Sequence, residues 1–213
     1  MNAGVALKFA FRDMFQNSWR LVPVNAALGL VLAVVALLTI SVPAFAVLAV
    51  FAGPVAAALL HCAVVVVRDE HVTLRDAREG LQLHWRHGLL LGVVLLALVA
   101  LGAFAFHFYT RSDYGWPLAF LSLYLLLALS LYLVMVATLA IAVPGRPLQT
   151  VARDAAAVGA ARPVATLKLG LVLVVVNAAG IAAGVMPFLT LTVAYSFVAV
   201  AHFVLPRETW EGH

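Results

Sequence analysis

Charge is what this chain has least of. Nine aspartates and glutamates and thirteen lysines and arginines among 213 residues leave it only 10% charged. Soluble domains carry about 25%. So few ionic groups cannot cover a soluble globule of this length, and 65% of the residues are hydrophobic. Most of the surface must face lipid, which reads as an integral membrane protein whose first partner is the bilayer. Cysteine is nearly absent as well. Cys62 stands alone, so no intramolecular disulfide and no Cys-x-x-Cys metal or redox pair can form. No H-E-x-x-H, G-x-S-x-G or P-loop motif occurs, and no carboxylate falls inside an apolar span. An enzyme would have to draw its groups from the loops. The reading is a non-enzymatic protein with no cofactor and no metal.

A leader is not expected either. Residues 1–20 hold Lys8, Arg12, Asp13 and Arg20 and lack a compact apolar region ending in A-x-A, so the first span should stay as an anchor. The net charge of +4 does not point to nucleic acid, because the basic residues sit at the ends of apolar spans. Arginine outnumbers lysine 11 to 2, and alanine and valine abound, a composition that suits GC-rich bacterial coding.

What charge there is gathers between Arg68 and Gly88. Arg68, Asp69, Glu70, Arg75, Asp76, Arg78, Glu79 and Arg86 lie there, with His71, His84 and His87. This reads as a water-facing hinge from which membrane helices hang. Thr73 and Asp76 have the spacing of a helix cap, and Arg75 can pair with Glu79 at i+4. A helix over 73–87 would place Leu74, Ala77, Leu81 and Trp85 on one stripe, expected against the membrane domain or the headgroups. Arg75, Glu79, Gln82 and Arg86 would then share a second face, free for a cytoplasmic partner. A metal site among Asp69, Glu70, His71, Asp76 and Glu79 is the less favoured use of the same groups.

Around this segment the apolar blocks divide into spans. Leu21 to Val67 is 47 residues without a charge, against about 20 needed for one crossing. It must turn back, with Pro43 and Gly53-Pro54 as breakers, so spans are expected near 21–41 and 50–67 with the turn within 42–54. Further spans are expected near 89–109 and 118–143. A polar loop over 146–168 should follow, and then two spans near 167–184 and 187–205, broken by Gly180, Gly184 and Pro187. Ahead of them all, Leu7, Phe11, Phe15 and Trp19 recur at i+4 with Lys8 and Arg12 alongside. That suits a basic amphipathic helix in the headgroup region, or an N-terminal extension of the first span.

The fold class is therefore an all-α polytopic membrane helix bundle of about six transmembrane helices, in one domain, with short cytoplasmic amphipathic helices. Six spans put twelve of the thirteen basic side chains on the starting side and Arg111 alone on the other. The positive-inside rule then sets both termini in the cytoplasm, in a bacterial plasma membrane. Arg75-Asp76-Ala77 recurs as Arg153-Asp154-Ala155, preceded by Thr73 and Thr150 as candidate caps, and Arg12-Asp13 echoes both. Three helix-plus-hairpin units would explain this, and so would chance in a low-complexity chain.

With Asn25 near the first span, GPVAAAL at 53–59, the Arg68 to Gly92 unit ending LHWRHGLLLG, and RPVATLKLG at 162–170, the chain resembles the YesL-like family of small bacterial membrane proteins. The stretch between Asn25 and Gly53 is longer here than in that family. The resemblance implies an accessory role beside carbohydrate uptake systems and transfers no functional residue.

Polar groups at membrane depth are costly and count as candidates. Asn25, His61, Asn177 and His202 form the candidate intramembrane polar site; Cys62 and His107 are the other polar residues in the spans. His61 and His202 should lie about 7–11 Å inside the cytoplasmic boundary and could share a layer. The simpler expectation is that each neutral imidazole makes one interhelical hydrogen bond. Two functions follow. An accessory or regulatory protein would use the charged face to engage another membrane protein, such as a transporter. A small transporter or permease would instead surround one path with the intramembrane polar groups.

Overall fold

In lipid a backbone must satisfy its own hydrogen bonds, and a helix does so within one segment. The computed structural model describes residues 2–69, 71–111, 114–183, 187 and 191–205, and among them it is helical with no strand. The helices are α1 (Ala3–Gln16), α2 (Ser18–Ser41), a 3-10 helix (Pro43–Phe51), α3 (Ala52–Asp69), α4 (Leu74–Thr110), α5 (Trp116–Ala142), α6 (Leu148–Ala161), α7 (Pro163–Ala182) and α8 (Val193–Val204). Five stretches are long and apolar enough to cross a membrane: Ser18–Ser41, Pro43–Asp69, Leu74–Thr110, Trp116–Ala142 and Pro163–Ala182. The chain is built as a multi-pass membrane protein.

The first apolar block turns where Val42 adopts an extended conformation and Pro43 opens the 3-10 helix. The last block differs from expectation. Gly180 lies inside α7 rather than in a break, and α8 is described over 12 residues, entered from a helical turn at 191–192. Gly184 and residues 188–190 of the expected last span lie outside the described residues. The expected polar loop over 146–168 is mostly helix, taken up by α6 and the first turn of α7. Thr150 does not cap α6. It lies inside that helix, its N–H bonded to the Pro147 carbonyl, and Pro147 stands at the cap position. The Arg-Asp pairs also sit differently: in the first turn of α4, the middle of α6 and the last turn of α1.

The charged segment is less of a hinge than its composition suggests. Residues 74–88 and the apolar run after them form one helix, α4, of 37 residues. At 1.5 Å per residue it is about 55 Å long, nearly twice the hydrocarbon thickness. Its start is set by a full capping box, in which Thr73 Oγ1 accepts from the Asp76 N–H and Asp76 accepts from the Thr73 N–H at 2.7 Å.

The core centres on α3, which buries Leu59, Leu60, Cys62, Ala63 and Val66. It packs most extensively on α4, along a seam of glycines. A Cβ on Gly88 would stand 2.6 Å from Pro54 Cα, and one on Gly80 would stand 2.7 Å from His61 Cβ. A Cβ on Gly53 would meet the Gly88 carbonyl, and one on Gly92 the Val50 carbonyl. Close backbone approach through small residues is how helices gain contact when lipid removes the hydrophobic drive between them. The outward faces carry Leu30, Val34 and Leu37 on α2, Leu101, Phe104 and Phe108 on α4, and Leu121, Leu125 and Leu129 on α5, all exposed. Such a girdle suits acyl chains rather than water.

Candidate functional site

The polar contacts converge beneath the charged end of α4. Between α3 and α4 the chain is non-helical at 71–73, with Thr73 extended, and Val72 is buried. A buried peptide needs partners for both its groups. The start of α2 and the residue before it supply them: Arg20 Nη1 donates to the Val72 carbonyl at 2.9 Å, and the Val72 N–H donates to Asn17 Oδ1 at 3.3 Å. Asn17 Nδ2 in turn donates to the Asp13 carbonyl at 3.1 Å. Arg68, at the end of α3, reaches the Ala142 carbonyl at 2.6 Å in the last turn of α5. A cation there meets the negative end of the helix dipole.

One turn earlier on α1 lies the pairing that sequence reasoning missed. Asp13 Oδ2 and His202 Nε2 are 2.7 Å apart, with Asp13 8% exposed and His202 1%. Phe9, four residues before Asp13, sets its ring 6.0 Å from the His202 ring. His202 Nδ1 is buried without a hydrogen-bond partner among the described residues. A run of hydrogen bonds thus links α8 to the 71–73 segment through Asp13, Asn17 and Val72. The signal for it in the sequence was the small face of α1, where Ala3, Ala6, Ala10, Asp13 and Met14 recur at helical spacing and all are buried.

Among the described residues, no hydrogen bond or ring contact joins the four expected intramembrane residues to one another. Asn25 is buried within α2. Asn177 Nδ2 donates to Ser196 Oγ on α8 and to the Leu173 carbonyl, both at 2.8 Å. His202 is held by Asp13. His61 packs under Gly80 with its ring 5.4 Å from that of His84, which lies 6.4 Å from that of His87. His61 and His202 are thus engaged by different partners on different helices, and His202 makes the one interhelical hydrogen bond expected of it. Among the described residues no group of three or more histidines, cysteines or carboxylates is placed to hold a metal ion. Comparison of the chain with models of protein families, with curated proteins and with solved structures finds no match. Geometry has to carry the functional reading.

On the outer side of α4, Arg75, Glu79, Gln82 and Arg86 are exposed. Of the stripe of Leu74, Ala77, Leu81 and Trp85, expected against the membrane domain or the headgroups, only Ala77 packs on the bundle. Leu74, Leu81 and Trp85 are exposed too, and α4 meets α3 instead through Ala77, Gly80, His84, Gly88 and Gly92. Large apolar side chains turn outward here because only small ones let the two backbones meet. Trp85 carries the Arg86 guanidinium 5.3 Å from its ring centroid, and Trp19 carries Arg20 at 5.4 Å. Such arginine–aromatic pairs suit an interface between headgroups and water.

Proposed function

We propose that this chain is a six-span protein of a bacterial plasma membrane with both termini in the cytoplasm. In this reading it is a non-enzymatic accessory or regulatory component that engages another membrane protein. The resemblance to the YesL-like family points to a transporter for carbohydrate uptake as the partner. The observation that carries the reading is the continuity of α4. Residues 74–88 extend about 22 Å along the axis of a helix whose remainder is long enough to span the membrane. They therefore offer Arg75, Glu79, Gln82 and Arg86 on a stiff support clamped by glycines against α3. Mixed charge suits a protein partner better than a lipid surface, which would favour uniformly basic residues.

A permease would need its polar groups around one path. Here His61, Asn177 and His202 each have their own neighbours, which favours the accessory reading. Photo-cross-linking residues at Glu79 and Gln82, in native membranes, should trap the same membrane protein from both positions. Absence of adducts, together with solute flux by the purified protein in vesicles, would reverse the preference. For the topology, Cys62→Ser protein carrying Gln82→Cys should resist an impermeant thiol reagent in intact cells. The same background carrying Tyr114→Cys should react.

A further inference from the structure

Helix α1 has two opposite faces, and the structure gives them different work. At about 100° per residue, Ala3, Ala6, Ala10, Asp13 and Met14 occupy one arc of roughly 100°. All five are buried, packed largely on α8. Lys8, Phe11, Arg12 and Phe15 occupy the opposite arc, with Trp19 just beyond the end of the helix. All of these are exposed, Phe11 at 68%, Phe15 at 77% and Trp19 at 70%. In the sequence Arg12-Asp13 looks like a neutral pair. In the fold it is not. Asp13 is turned inward onto His202, so its carboxylate offsets nothing on the outer face. Asp13 is the one acidic side chain in α1, and the outer face is therefore wholly cationic and aromatic.

We propose that this outer face of α1 binds anionic phospholipid, with Lys8 and Arg12 on the phosphates and Phe11, Phe15 and Trp19 at the boundary with the acyl chains. Charge complementarity selects the occupant. Two cations with no acidic partner among the described residues, flanked by large aromatics, match an acidic headgroup above a hydrocarbon layer. The exposed face of α4 carries Glu79 among its arginines and lacks that match. An acidic protein segment would have no use for three outward aromatics at 68–77% exposure unless it covered them all. The inward turn of Asp13 is what leaves the outer face cationic, so α1 is held to the bundle by one side and to acidic lipid by the other.

The test uses the full chain in nanodiscs of equimolar phosphatidylcholine and phosphatidylglycerol, followed by purification and a count of the lipids retained. Wild-type protein should hold phosphatidylglycerol in preference. Lys8→Gln with Arg12→Gln should lower that preference about thirtyfold, since each basic residue near an acidic surface contributes about 1 kcal/mol. Both positions are solvent- or lipid-facing, so the helix should survive. As a check without mutation, about 0.5 M salt should weaken the wild-type preference, because exposed charges are screened. Arg75→Gln with Arg86→Gln should leave it intact. Equal retention of the two lipids by wild type would overturn the proposal. So would a preference that survives loss of Lys8 and Arg12, or one lost with Arg75 and Arg86, or capture of an acidic protein on this face in place of lipid.

Discussion

Replacing Gly88 with alanine adds a single methyl group at the point where α3 and α4 approach most closely. That methyl would lie 2.6 Å from Pro54 Cα and 2.8 Å from both Pro54 N and the Gly53 carbonyl oxygen. All three atoms belong to backbone, so no side-chain rotation relieves the overlap. Separating them to ordinary contact requires the helices to part by about 1 Å, which also loosens the seams at Gly53, Gly80 and Gly92. Overpacking of this kind costs about 1–3 kcal/mol. Alanine's better helix propensity returns about 1 kcal/mol. Since rigid atoms face the methyl from more than one direction, the upper part of the range applies, and a net loss of about 2 kcal/mol is expected. For a chain of this size that corresponds to a fall in melting temperature of roughly 4–8 °C. Gly159 is the control. It lies in α6, and a Cβ there would meet nothing within 4 Å, so Gly159→Ala should raise stability by up to about 1 kcal/mol. Thermal denaturation of the purified proteins in one detergent, followed by intrinsic tryptophan fluorescence, measures both. If Gly88→Ala melts at or above the wild-type temperature, the close seam is not what holds α3 to α4, and the reasoning fails.

Three further outcomes follow from the contacts at the charged end. His202→Phe should destabilise the protein by about 3 kcal/mol, because it leaves Asp13 buried without its partner, and adding Asp13→Leu should recover most of that loss. Denaturation of the single and double variants checks this, and an additive double variant would mean that the pair is not coupled. Asp76→Ala should cost about 1 kcal/mol through loss of the capping box, read as increased hydrogen exchange in the first turn of α4. Asn17→Ala should free the buried Val72 peptide from one partner and make the 71–73 segment more open to protease, with a stability loss of about 1–3 kcal/mol. Unchanged cleavage there would show that Arg20 alone secures the segment.

Scarcity of charge and the length of the apolar runs by themselves determined most of the architecture. Residues 21–67 could not be one helix. Thr73 and Asp76 announced a helix start, and the capping box formed because its bonds are local, spanning three residues. Absence of a proline between Thr73 and Thr110 likewise leaves nothing to interrupt α4, though composition had suggested a break where charge gives way to leucine. Tertiary structure alone decided which faces pack. Reading by hydrophobicity assigns the largest apolar side chains to the protein interior, a rule that belongs to water. In lipid those side chains lose nothing by facing outward, and association favours small residues that let backbones meet. At the charged end, Phe11, Phe15, Leu74, Leu81 and Trp85 point away from the bundle, where headgroups can take them, while Ala3, Ala6, Ala10, Gly80, Gly88 and Gly92 point into it. The Asp13–His202 contact was beyond sequence reasoning for a different reason. Its partners are 189 residues apart, and local periodicity carries no record of which helices become neighbours.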